Sequence, residues 1–519
     1  MLKKIRIILG VISILAVTLL FLDLSGTARD CWGWLARIQF IPALLSMNLL
    51  AVVFLLALTL LFGRVYCSVI CPLGIYQDVV IRLHSWFGPR KKRKNRFSYT
   101  PAWRRTRIAV LAGFSLMLVL GLTTAVAAVF AGLLEPYSAY GRIASQIFAP
   151  LYDWTNNQLA EWSVAHDNYM FSPVAIAVSV PVLAVAALTA VVVTVMAWRG
   201  GRDYCNIICP VGTVLGYMSR YSLLRPMIDT SRCNGCRKCE RNCKAKCING
   251  KEHKIDHSRC VACMDCLDNC STGAVRYTWK RNMPAKGDSP AKQSESNQNT
   301  DNGASGVSRR AFLLTGGFVA GSLAVKAAVE GDGALAAVRQ KKAPLRKTPL
   351  VPPGSLGLLH LGSHCTACQL CIRACPEGVL RPSTSLDSFM QPRMEFTDAY
   401  CRPECTACSS VCPAGAILPL DTATKASTKI GRAVVDITLC ISANGQKCGN
   451  CSRQCPSGAI MMVPVDADKP DVLMPVVSDE ICIGCGACEY NCPVGTAGII
   501  KSSEHSAIHV EGIEIHREL

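Results

Sequence analysis

"CTACQLCIRACP", Cys365 to Pro376, decides how the rest of the chain is read. Three cysteines stand two residues apart, and a fourth follows after three more, with Pro behind it. Three thiols on one tight loop can cap one face of a compact metal cluster. The fourth, at the start of a short helix, can reach across to a neighbouring one. The pattern recurs in "CIGCGACEYNCP" (Cys482, Cys485, Cys488, Cys492). It returns with a stretched first gap in "CRPECTACSSVCP" (Cys401, Cys405, Cys408, Cys412) and "CISANGQKCGNCSRQCP" (Cys440, Cys448, Cys451, Cys455). Upstream, "CNGCRKCERNC" (Cys233, Cys236, Cys239, Cys243) and "CVACMDCLDNC" (Cys260, Cys263, Cys266, Cys270) keep the full spacing without the terminal Pro. Of 30 cysteines, only Cys31 and Cys247 fall outside these quartets and two further pairs.

A disulfide framework is the other use of many cysteines. Repeated gaps of two and three residues suit a cluster better than bridges between distant segments. Zinc ribbons use paired rather than tripled cysteines on each loop. The spacing is that of two-cluster bacterial ferredoxins, in which the fourth Cys ligates the other cluster of the pair. Six 4Fe–4S clusters are expected. Upstream, Cys233, Cys236 and Cys239 should share one with Cys270, and Cys260, Cys263 and Cys266 one with Cys243, for which Cys247 competes. In the C-terminal set the nested order predicts that the first motif (Cys365, Cys368, Cys371, Cys375) pairs with the fourth and the second with the third. That would set four clusters in a row.

A chain of 519 residues implies two or three domains. Half of the residues are hydrophobic and 18% charged, a balance that leans towards a membrane protein. Four uncharged runs are read as transmembrane helices: Ile7–Leu22, Ile38–Gly63, Ile108–Leu134 and Asn168–Trp198. The net charge of +19 is concentrated in "RKKRKNR", Arg90 to Arg96. Lying between apolar runs, it reads as a cytoplasmic loop rather than a nucleic-acid contact. The stretch Glu135 to Met170 carries four acids against one Arg and reads as periplasmic. The N-terminus and the segment after about Arg199 are then cytoplasmic.

The expected fold is an α-helical membrane bundle of four transmembrane helices plus two α+β ferredoxin-like domains. The domains are residues 1–224 (membrane, with two Cys-x3-Cys-Pro motifs), 225–280 (cytoplasmic two-cluster ferredoxin), 281–307 (a flexible Ser/Asn/Gln-rich linker), 308–337 and 338–519 (four-cluster polyferredoxin). Residues 308–337 open with "SRRAFLLTGGFVAGSLAV". A twin arginine before a short apolar stretch is an export signal. Cluster-bearing domains have to be assembled in the cytoplasm and exported folded, so a signal placed here would put the second ferredoxin domain in the periplasm. Read as the positive flank of a fifth membrane segment, it gives the same topology.

"YCSVICPLG" (Tyr66 to Gly74) and "YCNIICPVG" (Tyr204 to Gly212) are near copies. Spacing of i and i+4 puts both thiols of a pair on one helical face. Cys67, Cys71, Cys205 and Cys209 could supply four thiolates to one further metal site or form redox dithiols. A helix-ending turn duplicated with its hairpin is the alternative. Trp32, Trp34, Gln39, Tyr137 and His166 fall in or beside the expected periplasmic loops, where aromatic residues are commonly interfacial anchors.

Helix pairs ending in Cys-x3-Cys-Pro and followed by two ferredoxin motifs resemble the NapH type of quinol dehydrogenase membrane component, related to the NosR and CcoG group. The twin-arginine segment with four ferredoxin motifs resembles the NapG/MauM type of exported ferredoxin. The chain reads as a head-to-tail fusion of the two. The resemblance implies a membrane-bound iron–sulfur protein that oxidises a membrane quinol and passes electrons to a periplasmic reductase. It would sit in the bacterial inner membrane, with the lipid and quinone pool as partners and no nucleic acid. An electron-donating maturation factor for a partner metalloenzyme is the alternative.

Overall fold

The computed structural model describes residues 2–23, 26–87, 97–167, 171–174, 178–279, 341–466, 469–495 and 505–519. The basic run 90–96, the linker 281–307 and the twin-arginine segment 308–337 lie outside the described residues.

Two helices are long and apolar enough to cross a membrane, Leu2–Leu22 and Val180–Gly200. Both bury a narrow stripe and leave large side chains such as Ile8, Leu15, Leu188 and Val191 exposed. So wide an apolar outer surface needs an apolar neighbour. The other two expected spans are not continuous helices. The run Ile38–Gly63 breaks into Phe40–Leu45 and Leu49–Phe62. Met47 takes a φ of 54° at the break, and Asn48 caps the next helix by accepting from the Ala51 amide at 3.2 Å. The run Ile108–Leu134 becomes Arg104–Gly121 and Ala125–Leu134, packed on each other. Gly121 permits the fold-back, since a Cβ there would stand 3.2 Å from the Ala128 backbone. Hydropathy counts apolar residues and does not register such turns.

Helix Pro136–Ile143, buried along its whole length, packs against helices Pro72–Phe87 and Val180–Gly200. This helical domain has a continuous core that holds Cys67, Cys71, Cys205 and Cys209 together with Tyr66, Tyr137 and Tyr204.

Two ferredoxin-type regions flank it. In the first, β1 (Leu224–Ile228) pairs antiparallel with β4 (Val275–Trp279), and β2 (Ile248–Asn249) with β3 (Lys254–Ile255). The second contains β5 (Leu380–Pro382) with β6 (Pro392–Met394), β7 (Thr428–Val435) with β10 (Ile508–Glu518), and β8 (Ile460–Asp466) with β9 (Lys469–Val477). The two regions meet opposite ends of helix Leu2–Leu22. Lys3 near its start binds Asp265 and Asp268 of the first region. The carbonyl of Phe21 near its end accepts from Arg373 of the second. At 1.5 Å per residue these docks are about 30 Å apart along the helix.

Candidate metal centres

Each regular quartet is wound in the same way. The second residue after the first Cys and the first residue after the second Cys take positive φ: Gly235 and Arg237, Ala262 and Met264, Ala367 and Gln369, Gly484 and Gly486, all between 48° and 82°. Left-handed residues on such a loop turn successive backbone N–H groups inwards, forming a nest for anionic sulfur. Arg237, Ala262, Met264, Ala367 and Gln369 do this with a side chain, at about 1–2 kcal/mol each. Four-thiolate sets in such loops fit an iron–sulfur cluster. A single ion needs donors that converge on a point, whereas a four-iron cube needs them around its corners. Among the described residues, no three or more His, Cys, Asp or Glu side chains close on a single ion.

The fourth thiol of each set comes from elsewhere in the chain. Burial raises the pKa of Cys365, Cys368 and Cys371, and Cys412 adds to the rise in all three. A cavity of about 20 Å³ is lined by Cys375, Cys401, Cys405 and Cys408. Another of about 20 Å³ is lined by Cys440, Cys448, Cys451 and Cys492. Cys485 is pushed up to about 12 by burial and then by neighbouring thiols, Cys455 first among them. The first motif therefore exchanges its last Cys with the second, and the third with the fourth. The nested pairing expected from the sequence is not what the fold makes, because contiguous motifs close into local pairs. The Cys401 amide donates to the Cys485 carbonyl at 3.0 Å and so joins the two pairs. The sets run in the order first, second, fourth, third.

In the other ferredoxin region, Cys239 is raised by burial and then by Cys233 and Cys270. One cavity is lined by Cys243, Cys247, Cys260, Cys263 and Cys266. Cys247 is thus a fifth thiol at that set, 3.5 Å from Cys243, and its hydrogen bond lowers Cys243 to about 7.

The thiols of the duplicated Cys-x3-Cys-Pro phrase are gathered by more residues than the quoted repeat contained. The duplicated phrase runs from Gly63 to Gly74 and from Gly201 to Gly212, as Gly-Arg-x-Tyr-Cys-x-x-Ile-Cys-Pro-x-Gly. Arg64 and Arg202 are fully buried. Arg64 Nη2 lies 3.8 Å from Cys67 Sγ and donates to the Cys205 carbonyl at 3.1 Å. Arg202 Nη1 lies 3.8 Å from Cys205 Sγ and donates to the Cys67 carbonyl at 3.0 Å. Each arginine thus holds its own copy's thiol and the other copy's backbone. Gly74 and Gly212 leave the necessary room, since a Cβ on either would come within 2.8 Å of the opposite arginine. In both copies the second Cys amide bonds back five residues, to the Tyr66 or Tyr204 carbonyl at 2.9 Å. That π-type turn widens the helix at the thiols.

These four thiols lie between the ferredoxin regions. On one side Arg64 Nη1 binds Asn206 at 2.8 Å, and Asn206 Nδ2 donates to the Ala245 carbonyl at 3.3 Å. Ala245 lies between Cys243 and Cys247. On the other side Cys368 belongs to the same buried core as the four thiols. Its loop seats closely on the helical domain: a Cβ on Gly141 would stand 2.6 Å from the Cys368 carbonyl. Ser145 Oγ and Gln146 Nε2 each stand 2.8 Å from Gln369 Oε1, and Arg373 forms a bidentate pair with buried Asp153 at 2.8 and 3.0 Å. Of the loop residues singled out earlier, Gln39 is buried and accepts from Tyr66 Oη at 2.8 Å, and Tyr137 is buried in the core beside Cys368. Trp32, Trp34 and His166 are exposed.

Sequence comparison agrees with this layout. A family model described as a 4Fe-4S binding domain matches residues 45–95 and 180–228, which contain the two Cys-x3-Cys-Pro pairs. A 4Fe-4S dicluster domain matches 364–416, which holds the first and second motifs, and 445–496, which holds the third without its Cys440 and the fourth. The methylamine utilization ferredoxin-type protein MauM of Paracoccus denitrificans is 34% identical over 185 residues, 34% of this chain and 81% of that protein. The ferredoxin-type proteins NapF and NapG of Escherichia coli K12 are 31% and 30% identical, over 28% and 36% of this chain and 79% and 80% of their own lengths. No solved structure matches. Through about a third of its length, the chain belongs to the MauM, NapF and NapG family of ferredoxin-type iron–sulfur electron-transfer proteins.

Proposed function

We propose that the chain is a membrane-bound quinol dehydrogenase module fused to its exported ferredoxin, delivering electrons to a periplasmic reductase. The observation that carries this reading is the line of thiol sets. It runs from the inner ferredoxin region, past the four buried thiols of the helical domain, to the four sets of the C-terminal region. Clusters of this type take up and return one electron at a time, at potentials tuned by hydrogen bonds and exposure.

The chain's own residues do the rest. Helices Leu2–Leu22 and Val180–Gly200 give it an apolar exterior for the bilayer. The paired arginines hold Cys67, Cys71, Cys205 and Cys209 in a dry interior, where they supply a further thiolate set. The Cys365–Cys371 loop is pressed onto the helical domain by Arg373 and Gln369. The set Cys440, Cys448, Cys451 and Cys492 stands at the far end of the line, where a soluble acceptor would dock. Charge bias and the twin arginine at Arg309 and Arg310 support a periplasmic location for that end and a cytoplasmic one for the 225–280 region.

The test is to add a reduced quinol analogue to the oxidised full-length protein in liposomes and to follow bleaching of the cluster absorption. Reduction within seconds is expected, followed by reoxidation with an external periplasmic acceptor. Failure of quinol to reduce the protein, with reduction instead by a soluble cytoplasmic donor and onward reduction of metal ions, would overturn it in favour of a maturation role.

A further inference from the structure

A cleft of about 460 Å³ opens between the first turns of helix Leu2–Leu22, helix Pro72–Phe87 and the inner ferredoxin region. Small-molecule sites commonly span about 300–1,000 Å³. Ile7 and Val11 from one helix and Ile75 and Val79 from the other make its apolar wall. Val11 and Val79 are nearly half exposed on the outer surface, so the wall continues towards the lipid side.

The floor is charged and mostly self-satisfied. Asp78 is held by Arg6 at 2.8 Å, Arg202 at 2.8 Å and Lys244 at 3.0 Å. Lys244 also reaches Asp265 at 3.2 Å. Arg202 Nη2 is turned to Asp78, whereas Arg6 Nε on this floor is buried without a hydrogen-bond partner. A buried donor left unpaired costs about 1–3 kcal/mol. One spare N–H beside an apolar wall suits a neutral carbonyl or hydroxyl oxygen on a flat ring. The floor cations Arg6 and Lys244 are committed to Asp78 and Asp265, while Arg82 and Arg241 at the rim remain open to an anionic headgroup, so competition by phosphatidylglycerol is the discriminating control.

Resting on the quinol reading above, we propose that this cleft binds the ring of a membrane quinol or quinone, one ring oxygen accepting from Arg6 and the tail leaving past Val11 and Val79. Ser68 lines the same cleft next to Cys67, and Asn242 and Lys244 line it on either side of Cys243. The ring therefore sits between the membrane thiols and the inner ferredoxin region.

Photolabelling of the full-length protein in liposomes with an azido-substituted quinone tests this. Label is expected on Ile7–Val11 and Ile75–Val79, competed by unlabelled quinone and not by excess phosphatidylglycerol. Arg6→Gln and Val79→Trp should each lower labelling at least tenfold, with iron content and dithionite-reduced absorption unchanged. Label elsewhere, no label, or displacement by phosphatidylglycerol would overturn the site. Quinol-driven reduction alongside label elsewhere would remove the site and leave the function. Label in the cleft without quinol-driven reduction would keep the site and remove the function.

Discussion

The two copies of the Gly-Arg-x-Tyr-Cys repeat part company directly after their last shared glycine, and the fourth residue beyond it is the telling one. The first copy has Asp78 there and the second has Gly216. Both positions hold the first ferredoxin-type region, by opposite means. Asp78 gathers Lys244 and Arg202 by charge. Gly216 lets the backbone in: a Cβ there would stand 2.5 Å from the Ser258 carbonyl, which Arg107 also binds at 3.3 Å. The repeat is thus symmetric where it builds the thiol site and asymmetric where it meets a partner domain that has no matching symmetry. Duplication explains the shared residues, and docking explains the divergent ones.

The largest effect should come from erasing the symmetric part. With Cys67, Cys71, Cys205 and Cys209 all changed to Ser, electron passage from the first ferredoxin-type region to the C-terminal one should fall by more than about 100-fold in stopped-flow measurements. Taking these four thiols as a seventh four-iron set beside the six expected of the quartets, iron should fall from about 28 to about 24 atoms per chain. Unchanged iron and unchanged passage would make the repeat a structural turn only.

Next is the charged half of the asymmetry. Asp78→Ala leaves Arg202 and Lys244 buried and short of a partner, and breaking such a buried pair costs about 3–5 kcal/mol. Limited proteolysis should release residues 225–279 from the helical domain far faster than in the parent. Gly216→Ala tests the other half and should be milder. Overpacking of this kind costs about 1–3 kcal/mol, and the same proteolysis assay should rank it below Asp78→Ala. The reverse order would mean that close approach, not charge, secures the dock.

The pH dependence has a defined sign. Burial alone would raise the Asp78 pKa, but Arg202, Lys244 and Arg6 more than offset it and hold the carboxyl well below its ordinary value. A depressed folded-state pKa gives stability that is fully present above the unfolded carboxylate value, about 3.9. It is lost as pH falls through the folded value. The dock of the first ferredoxin-type region should therefore hold at neutral pH and loosen only below about pH 4, as read by proteolysis across a pH series. Loosening between pH 5 and 7 would show that another group governs it. The smallest effect belongs to Lys3→Ala. Its ion pairs with Asp265 and Asp268 are partly exposed, so the change should cost about 1 kcal/mol or less and vanish in high salt.

The quartets could be read from sequence because their chemistry is local. Three thiols and two left-handed residues within seven positions define the loop, whatever surrounds it. The same holds for the duplicated Cys-x3-Cys-Pro phrase and for the apolar stripe of Leu2–Leu22. Arg64 and Arg202 were also within reach, since the repeat extends to them, but a buried arginine gives no signal of burial in its letters. What only the tertiary structure decided is which distant groups meet. Neighbouring motifs exchange their last Cys, although spacing permits nesting as well. The run Ile108–Leu134 turns back at Gly121, because helix–helix contact there outweighs continuation and hydropathy is blind to it. Each arginine holds its own thiol and the opposite backbone, a crossing that exists only once the two copies face each other. Local geometry is written in spacing. The partner across a fold depends on packing, where every candidate competes at once.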